Sequence, residues 1–383
     1  MICKIDSVVN QLHTRGIRVI HKDKTLNIKV QLHDSMKDLK YKKMLSGLGG
    51  ADCILCTTKQ KEWSDIAKVT EGFPINRNAQ GNEALFHRLV NDQGIIPRIP
   101  NDFANRQGLT SKPLTTSSQR SITITHSYIN GTAFFIKFLV RVHIDYARWE
   151  EKSDPRGAPL RAGKARVLAA IEDQTGLVVE QVASTGHCGT STDGNTGRRF
   201  FSSELRPVLE ELISENYRDN ALLLHLQLSS ILRIVSCTAK VDIDKYEELT
   251  KKTGLNLAVN FPWVRLNYTM HGTVQHSAEL IRDNGNQGLG DLSEEALEAN
   301  NKDIRKMLAD YSRKTDPVAQ LTDTAHRLLE RSHPNNRRIT AQFRPSKSCS
   351  ECGGKDHTVR THHKAMGSGV RGLYDSIVCD ILT

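Results

Sequence analysis

The chain has 383 residues, 38% of them hydrophobic, and carries 53 Lys and Arg against 43 Asp and Glu for a formal net charge of +10. A mean hydropathy of −0.44 and the lack of any long apolar run argue against a membrane-spanning chain, since the most apolar stretch, 133–142, is interrupted by Lys137 and Arg141. The basic balance favours a polyanionic partner, nucleic acid above all, and the length allows two or three domains.

In chain order, residues 17–21 and 26–32 read as two short strands around a polar turn, the second alternating apolar and polar positions. Asp34 follows them and opens a basic amphipathic helix over 35–46, which should end at Gly47. Residues 98–119 are rich in Pro, Asn, Ser, Thr and Lys and read as a linker or irregular loop. A helix over about 126–152 carries Tyr128, Ala133, Phe134, Phe138 and Val142 on one face, and further helices are expected near 203–216, 219–236 and 242–253. Asp291-Leu292-Ser293-Glu294 resembles a capping box at the start of a helical stretch that runs to 331, broken near Asp316-Pro317. The tail, 333–383, is basic and poor in periodicity.

Eight cysteines fall at 3, 53, 56, 188, 237, 349, 352 and 379, so four of them form two C-x-x-C pairs. Residues 1–30 alternate charges with short apolar pieces, unlike a secretory signal, which points to a reducing compartment and to metal ligation rather than disulfides. Neither pair has the strand–CxxC–helix context of a redox motif. In the tail, Cys349, Cys352, His357 and His362 have the C-x2-C-x4-H-x4-H spacing of a zinc knuckle, with Gly353-Gly354 for the tight turn but no aromatic to stack on a base. Cys53 and Cys56 have no nearby partner pair. The other two-ligand spacing is His271 and His276, which gives either one joined Cys2His2 site or a buried Cys pair and two surface histidines.

Several ordered segments resemble the catalytic core of the V(D)J recombination-activating protein one family, including the Transib and ProtoRAG transposases. They are Gly49-Gly50-Ala51-Asp52-Cys53-Ile54-Leu55-Cys56, Glu71-Gly72-Phe73-Pro74-Ile75-Asn76-Arg77, Asp193-Gly194-Asn195-Thr196-Gly197-Arg198-Arg199, Asn267 to His276, and Glu298-Ala299-Asn300-Asn301-Lys302. The resemblance covers about 26–313. It implies an α/β fold: an RNase H-like core, here incomplete in its first strands, with a large, mainly α-helical zinc-binding insertion and the knuckle tail. It divides the chain into 1–50 (partial core), 51–290 (insertion), 291–332 (helix with the final acid) and 333–383 (tail). Asp34 matches the family's second catalytic aspartate and Glu298 its glutamate, although Glu294 or Glu295 would fit after a slip of one turn. Cys53, Cys56, His271 and His276 match the four zinc ligands.

The family nicks DNA at recombination signals or terminal repeats and joins strands by transesterification, using two Mg2+ or Mn2+ ions held by three carboxylates. Its first aspartate has no match, so the resemblance implies a C-terminal portion of the core, either part of an enzyme or an inactive, zinc-stabilised DNA-binding remnant. Lys37, Lys40, Lys42 and Lys43 follow Asp34, Lys302, Arg305 and Lys306 follow Glu298, and Arg198 and Arg199 flank a glycine turn, which together suit a phosphate track. Leu232 stands where the family has a base-stacking aromatic, which puts base flipping in question. The resemblance also implies a homodimer, an accessory subunit like recombination-activating protein two, and a nuclear location.

Overall fold

The computed structural model describes residues 11, 15–21, 24–28, 39–50, 52–97, 103–114, 120–144, 158–179, 181–182, 188–189, 193–342 and 372–382. Its helices, in chain order, are α1 (Leu39–Ser46), α2 (Ile66–Glu71), α3 (Ala79–Leu89), α4 (Phe103–Arg106), α5 (Ile124–His143), α6 (Ala158–Thr175), α7 (Gly194–Phe200) and α8 (Arg206–Leu212). They continue with α9 (Glu215–Val235), α10 (Ile243–Asn260), α11 (Tyr268–Gln275), α12 (Ser277–Asp283), α13 (Glu295–Asp310), α14 (Pro317–Ser332), α15 (Pro334–Gln342) and α16 (Gly372–Ile381). The chain falls into two compact units, one of 1–294 with 374–383 and a second of 295–373.

This architecture overturns the α/β, RNase H-like expectation. Among the described residues, strands occur only as two antiparallel hairpins, β1 (Ile17–His21) with β2 (Lys24–Ile28), and β3 (Gln181–Val182) with β4 (Cys188–Gly189). The first hairpin sits close to where alternation placed it. Alternation, however, requires only that a strand have two unlike faces, and a lone hairpin satisfies that as well as a layered sheet does. Ile20, which a core strand would bury, is 77% exposed. The buried apolar mass is instead helical.

Its centre is α5, against which α6, α7, α9 and α11 pack. The one-face reading of α5 gives way to burial on nearly every side: Phe134, Phe135, Ile136, Phe138, Leu139 and Val140 are all buried, and Lys137 is the exposed exception among them. A helix packed by neighbours on most sides keeps only a narrow, partly exposed stripe, here Asn130, Ala133, Lys137 and Arg141. Phe138 meets Phe261 edge-on at 4.8 Å, and Phe135 lies 5.2 Å from the ring of His225.

Local chemistry sets the helix ends. α1 ends at Gly47, whose φ of 72° closes the turn and where a Cβ would collide with the Ser111 carbonyl. The carbonyl of Gly47 in turn accepts from the Thr110 and Ser111 amides, so 109–114 is stitched to the end of α1 rather than looping freely. Asp242 and Asp316 cap α10 and α14, accepting from the Lys245 and Ala319 amides, with Pro317 opening α14.

His225 on α9 is fully buried, and burial lowers its pKa from 6.5 to about 4, with the nearby Arg206 acting in the same direction against the hydrogen bond to the Phe200 carbonyl. The unfolded chain therefore binds more protons than the folded one between about pH 4 and 6.5, so this group's contribution to stability rises with pH through that window and is lost as pH falls. At full effect the difference is on the order of 3 kcal/mol. In denaturant melts from pH 7 to 4, His225→Gln should lose about one proton's worth of the wild-type pH slope; an unchanged slope would exclude His225 as its source.

Candidate metal centre

The CxxC loop 53–56 follows α1, and its turn is closed by the Leu55 amide donating to Cys53 Sγ at 3.3 Å. The segment 74–77 runs beside it. The Arg77 amide donates to the Leu55 carbonyl at 3.0 Å, and the Arg77 guanidinium donates to the carbonyls of Cys56 and Gln107 and to Asn82 Oδ1. A buried guanidinium whose fork meets three fixed acceptors holds the loop against α3.

The histidines come from 215 residues further along. Asn267 caps α11 through the Met270 amide at 2.8 Å, which places His271 one turn in. On an unbroken helix His276 would point about 140° away from His271, because five residues exceed one turn. Instead α11 stops at Gln275, and His276 takes φ −122° and ψ −14° before α12 begins, so both imidazoles turn to the same point. Cys56 Sγ lies 3.2 Å from His271 Nε2, which lies 3.1 Å from His276 Nε2. The ligand atoms of Cys53, Cys56, His271 and His276 all lie within 4.8 Å of one another, and all four residues are buried. A tetrahedral ion bonded at about 2.3 Å to sulfur and about 2.0 Å to nitrogen spaces its donors about 3.3–3.8 Å apart, close to what is seen. These four residues are positioned to hold a metal ion, and two thiols with two imidazoles form a set compatible with zinc.

The surroundings fit the same purpose. Gln275 Oε1 bonds His271 Nδ1 while its amide donates to the Trp63 carbonyl at 2.9 Å, which keeps Nε2 of His271 bare and aimed inward. Trp63 stacks on the His271 ring at 4.1 Å, and Phe73 meets it edge-on at 5.1 Å. Burial pushes the Cys53 thiol up and the His271 imidazole down to about 4, while the hydrogen bond from Cys53, with help from both histidines, holds Cys56 down toward thiolate. A bound dication favours neutral imidazoles, which burial already prepares at His271, and ionised thiols, which burial opposes at Cys53 and the ion's charge must stabilise.

Two lysines of the expected phosphate track turn inward. Lys42 is fully buried and donates to Ser121 Oγ at 2.6 Å. Lys43 donates to the Gly49 and Gly50 carbonyls and sits 3.3 Å over the Tyr268 ring, and burial lowers its pKa to about 8 against the opposing pull of Asp52. Lys43 thus braces the glycine turn ahead of Cys53. Lys40 is exposed on α1, and Arg305 and Lys306 are exposed on α13.

On α7, capped by Asp193 through the Thr196 amide, Arg198 lies 4.6 Å over the Tyr128 ring. Arg199 pairs with Glu204 at 3.3 Å and donates to the Thr175 carbonyl. Gly197 lets α7 approach α5, since a Cβ there would come 2.9 Å from that of Tyr128. Leu232 is buried and makes no stacking platform.

Asp34, Lys37 and the knuckle residues Cys349, Cys352, His357 and His362 lie outside the described residues, as do the side chains of Glu298 and Lys302 on α13. Among the described residues the Cys53 group is the one cluster of three or more metal-capable side chains, so the paired Mg2+ or Mn2+ ions have no support here. The capping-box reading of Glu294 is replaced by a longer reach. Its buried carboxylate accepts from the Ile124 and Thr125 amides at 3.0 and 2.9 Å, capping α5, with His126 Nδ1 at 3.7 Å. No sequence signal marked Gln275 or Trp63, and the capping-box signal at Glu294 pointed to its own helix rather than to α5, 169 residues away.

Gln275→Leu should keep the fold and weaken metal retention by about 10- to 100-fold in competition with a chromophoric chelator. Retention equal to wild type would remove Gln275 from the centre. Comparison with models of protein families gives no match, and comparison with curated proteins gives none.

Proposed function

We propose that the chain is a zinc-stapled, DNA-contacting helical body related to the recombination-activating protein one family of recombinases and transposases, and that by itself it binds DNA without cutting it. The observation that supports this most is the convergence of Cys53, Cys56, His271 and His276, the four positions that match the family's ligands. Zinc is the ion we assign, because two soft thiolates in a closed, buried tetrahedral set leave no open position for a substrate and suit a structural role. A second zinc at Cys349, Cys352, His357 and His362 belongs to the same proposal.

The DNA reading draws on exposed cations, Lys40, Arg199, Arg305 and Lys306, together with Arg198. Two-metal cleavage needs carboxylates that bridge both ions. Asp34 and Glu298 alone are too few to hold such a pair, so strand cleavage and joining are assigned to a form that also carries the family's first aspartate, acting as a dimer with an accessory subunit.

The test uses the purified full chain. Elemental analysis should find two zinc per chain, falling to one in Cys56→Ser and to one in Cys352→Ser. Duplexes carrying recombination-signal or terminal-repeat ends should be retained in a salt-dependent way, weakened in the Arg198→Ala/Arg199→Ala double variant. With Mg2+ or Mn2+ the chain should leave the duplex intact. Cleavage by wild type that disappears in Glu298→Gln would overturn the non-cutting reading, and salt-independent or absent retention would overturn the DNA reading.

A further inference from the structure

The C-terminal helix α16 follows the polar tail, yet from Tyr374 onward it belongs to the first unit. Tyr374, Val378 and Ile381 are buried in that unit. The contacts are built at both ends. Near its start, Tyr374 Oη lies 2.9 Å from His225 Nδ1. Arg233 forks onto the Tyr374 carbonyl at 3.0 Å and the Asp375 carboxylate at 2.7 Å. Near its end, the carbonyls that a helix leaves unpaired are taken up, Asp380 by Lys245 Nζ at 3.0 Å and Ile381 by the Asp242 amide at 2.7 Å. Leu382 then bridges to Val241.

The buried end has a definite proton order. His225 Nε2 lies 3.0 Å from the Phe200 carbonyl, which can only accept, so Nε2 carries the hydrogen. The neutral ring then presents a bare Nδ1, and the Tyr374 hydroxyl donates to it. Phe200 is the last residue of α7, and the next carbonyl, of Phe201, accepts from Ser229 on α9. One buried imidazole therefore ties the C-terminal helix to the end of the helix that carries Arg198 and Arg199.

We propose that α16 is an intramolecular brace, seated on α9 and the start of α10, which fixes the end of α7 through hydrogen bonds that run from Tyr374 through His225 to Phe200. The brace stands without the DNA reading; its consequence for DNA rests on that reading. Without Tyr374 Oη, His225 keeps a buried acceptor with no donor, and the grip on Phe200 loosens with it.

Amide hydrogen exchange on the metal-loaded full chain tests this, comparing wild type with Tyr374→Phe and Asp375→Ala. In wild type, amides of 376–382 should be protected. Tyr374→Phe should speed exchange about tenfold or more in 376–382 and at 198–202, leaving 53–56 and 271–276 unchanged. Asp375→Ala, which cuts only the surface fork, should speed 376–382 without touching 198–202. Wild-type exchange at 376–382 as fast as an unstructured peptide, or an α7 end indifferent to Tyr374→Phe, would overturn the brace. Faster exchange at 198–202 with unchanged DNA retention supports the brace and counts against Arg198 and Arg199 as DNA contacts.

Discussion

Two thiols and two imidazoles buried against one another destabilise a fold unless a cation sits between them. Burial disfavours the charged forms, driving His271 down and Cys53 up, so the Cys53 thiolate that a metal needs is costly to form without one. A dication reverses the sign of that cost and turns the cluster into a cross-link between residues 215 positions apart. Closing a loop of that span removes on the order of 5 kcal/mol of unfolded-chain freedom by the arithmetic used for disulfides. The CxxC loop, the segment 74–77, α11 and α12 hold their places because they meet at this point, and the Trp63 and Phe73 rings shield it.

Buried polar groups recur as long-range ties in this helical unit. Glu294 caps α5 from 170 residues away, Arg77 pins the metal loop to Asn82 and Gln107, and Ser127 Oγ meets Thr273 Oγ1 at 2.8 Å between α5 and α11. Each tie has its partners fixed by neighbouring backbone, so satisfying one group requires several elements to be in place together. Apolar packing of α5 against four neighbours is less demanding about register. The polar ties supply the selection among arrangements that packing alone leaves similar.

Much of the local structure was legible because its causes are local. The β1–β2 hairpin, the stop of α1 at Gly47 and the break at Asp316-Pro317 follow from turn, glycine and cap chemistry within a few residues. The four metal ligands were legible through motif order, while spacing alone left them ambiguous. A five-residue step puts two side chains on one face only if the helix breaks between them, and nothing in 271–276 announces the break. The fold class was not legible. Alternation in 17–32 fits a hairpin and a core strand equally, and what separates them is whether distant strands arrive to cover it. α16 was hidden for the same reason, since its buried face is set by α9 and α10 rather than by the tail around it.

The fate of charge makes the same point. Of the basic residues after 34, Lys42 and Lys43 are taken up by Ser121 and by the glycine turn before Cys53, so part of the +10 is internal scaffolding and out of reach of a polyanion. Of the acids near 294–298, Glu294 is committed to the start of α5, where burial pushes its pKa up but the Ile124 and Thr125 amides and the nearby His126 together hold it below the usual value. A carboxylate already accepting two amides has little capacity left for a hard cation, which in any case would compete with the positive end of a 20-residue helix. That removes the one-turn slip to Glu294.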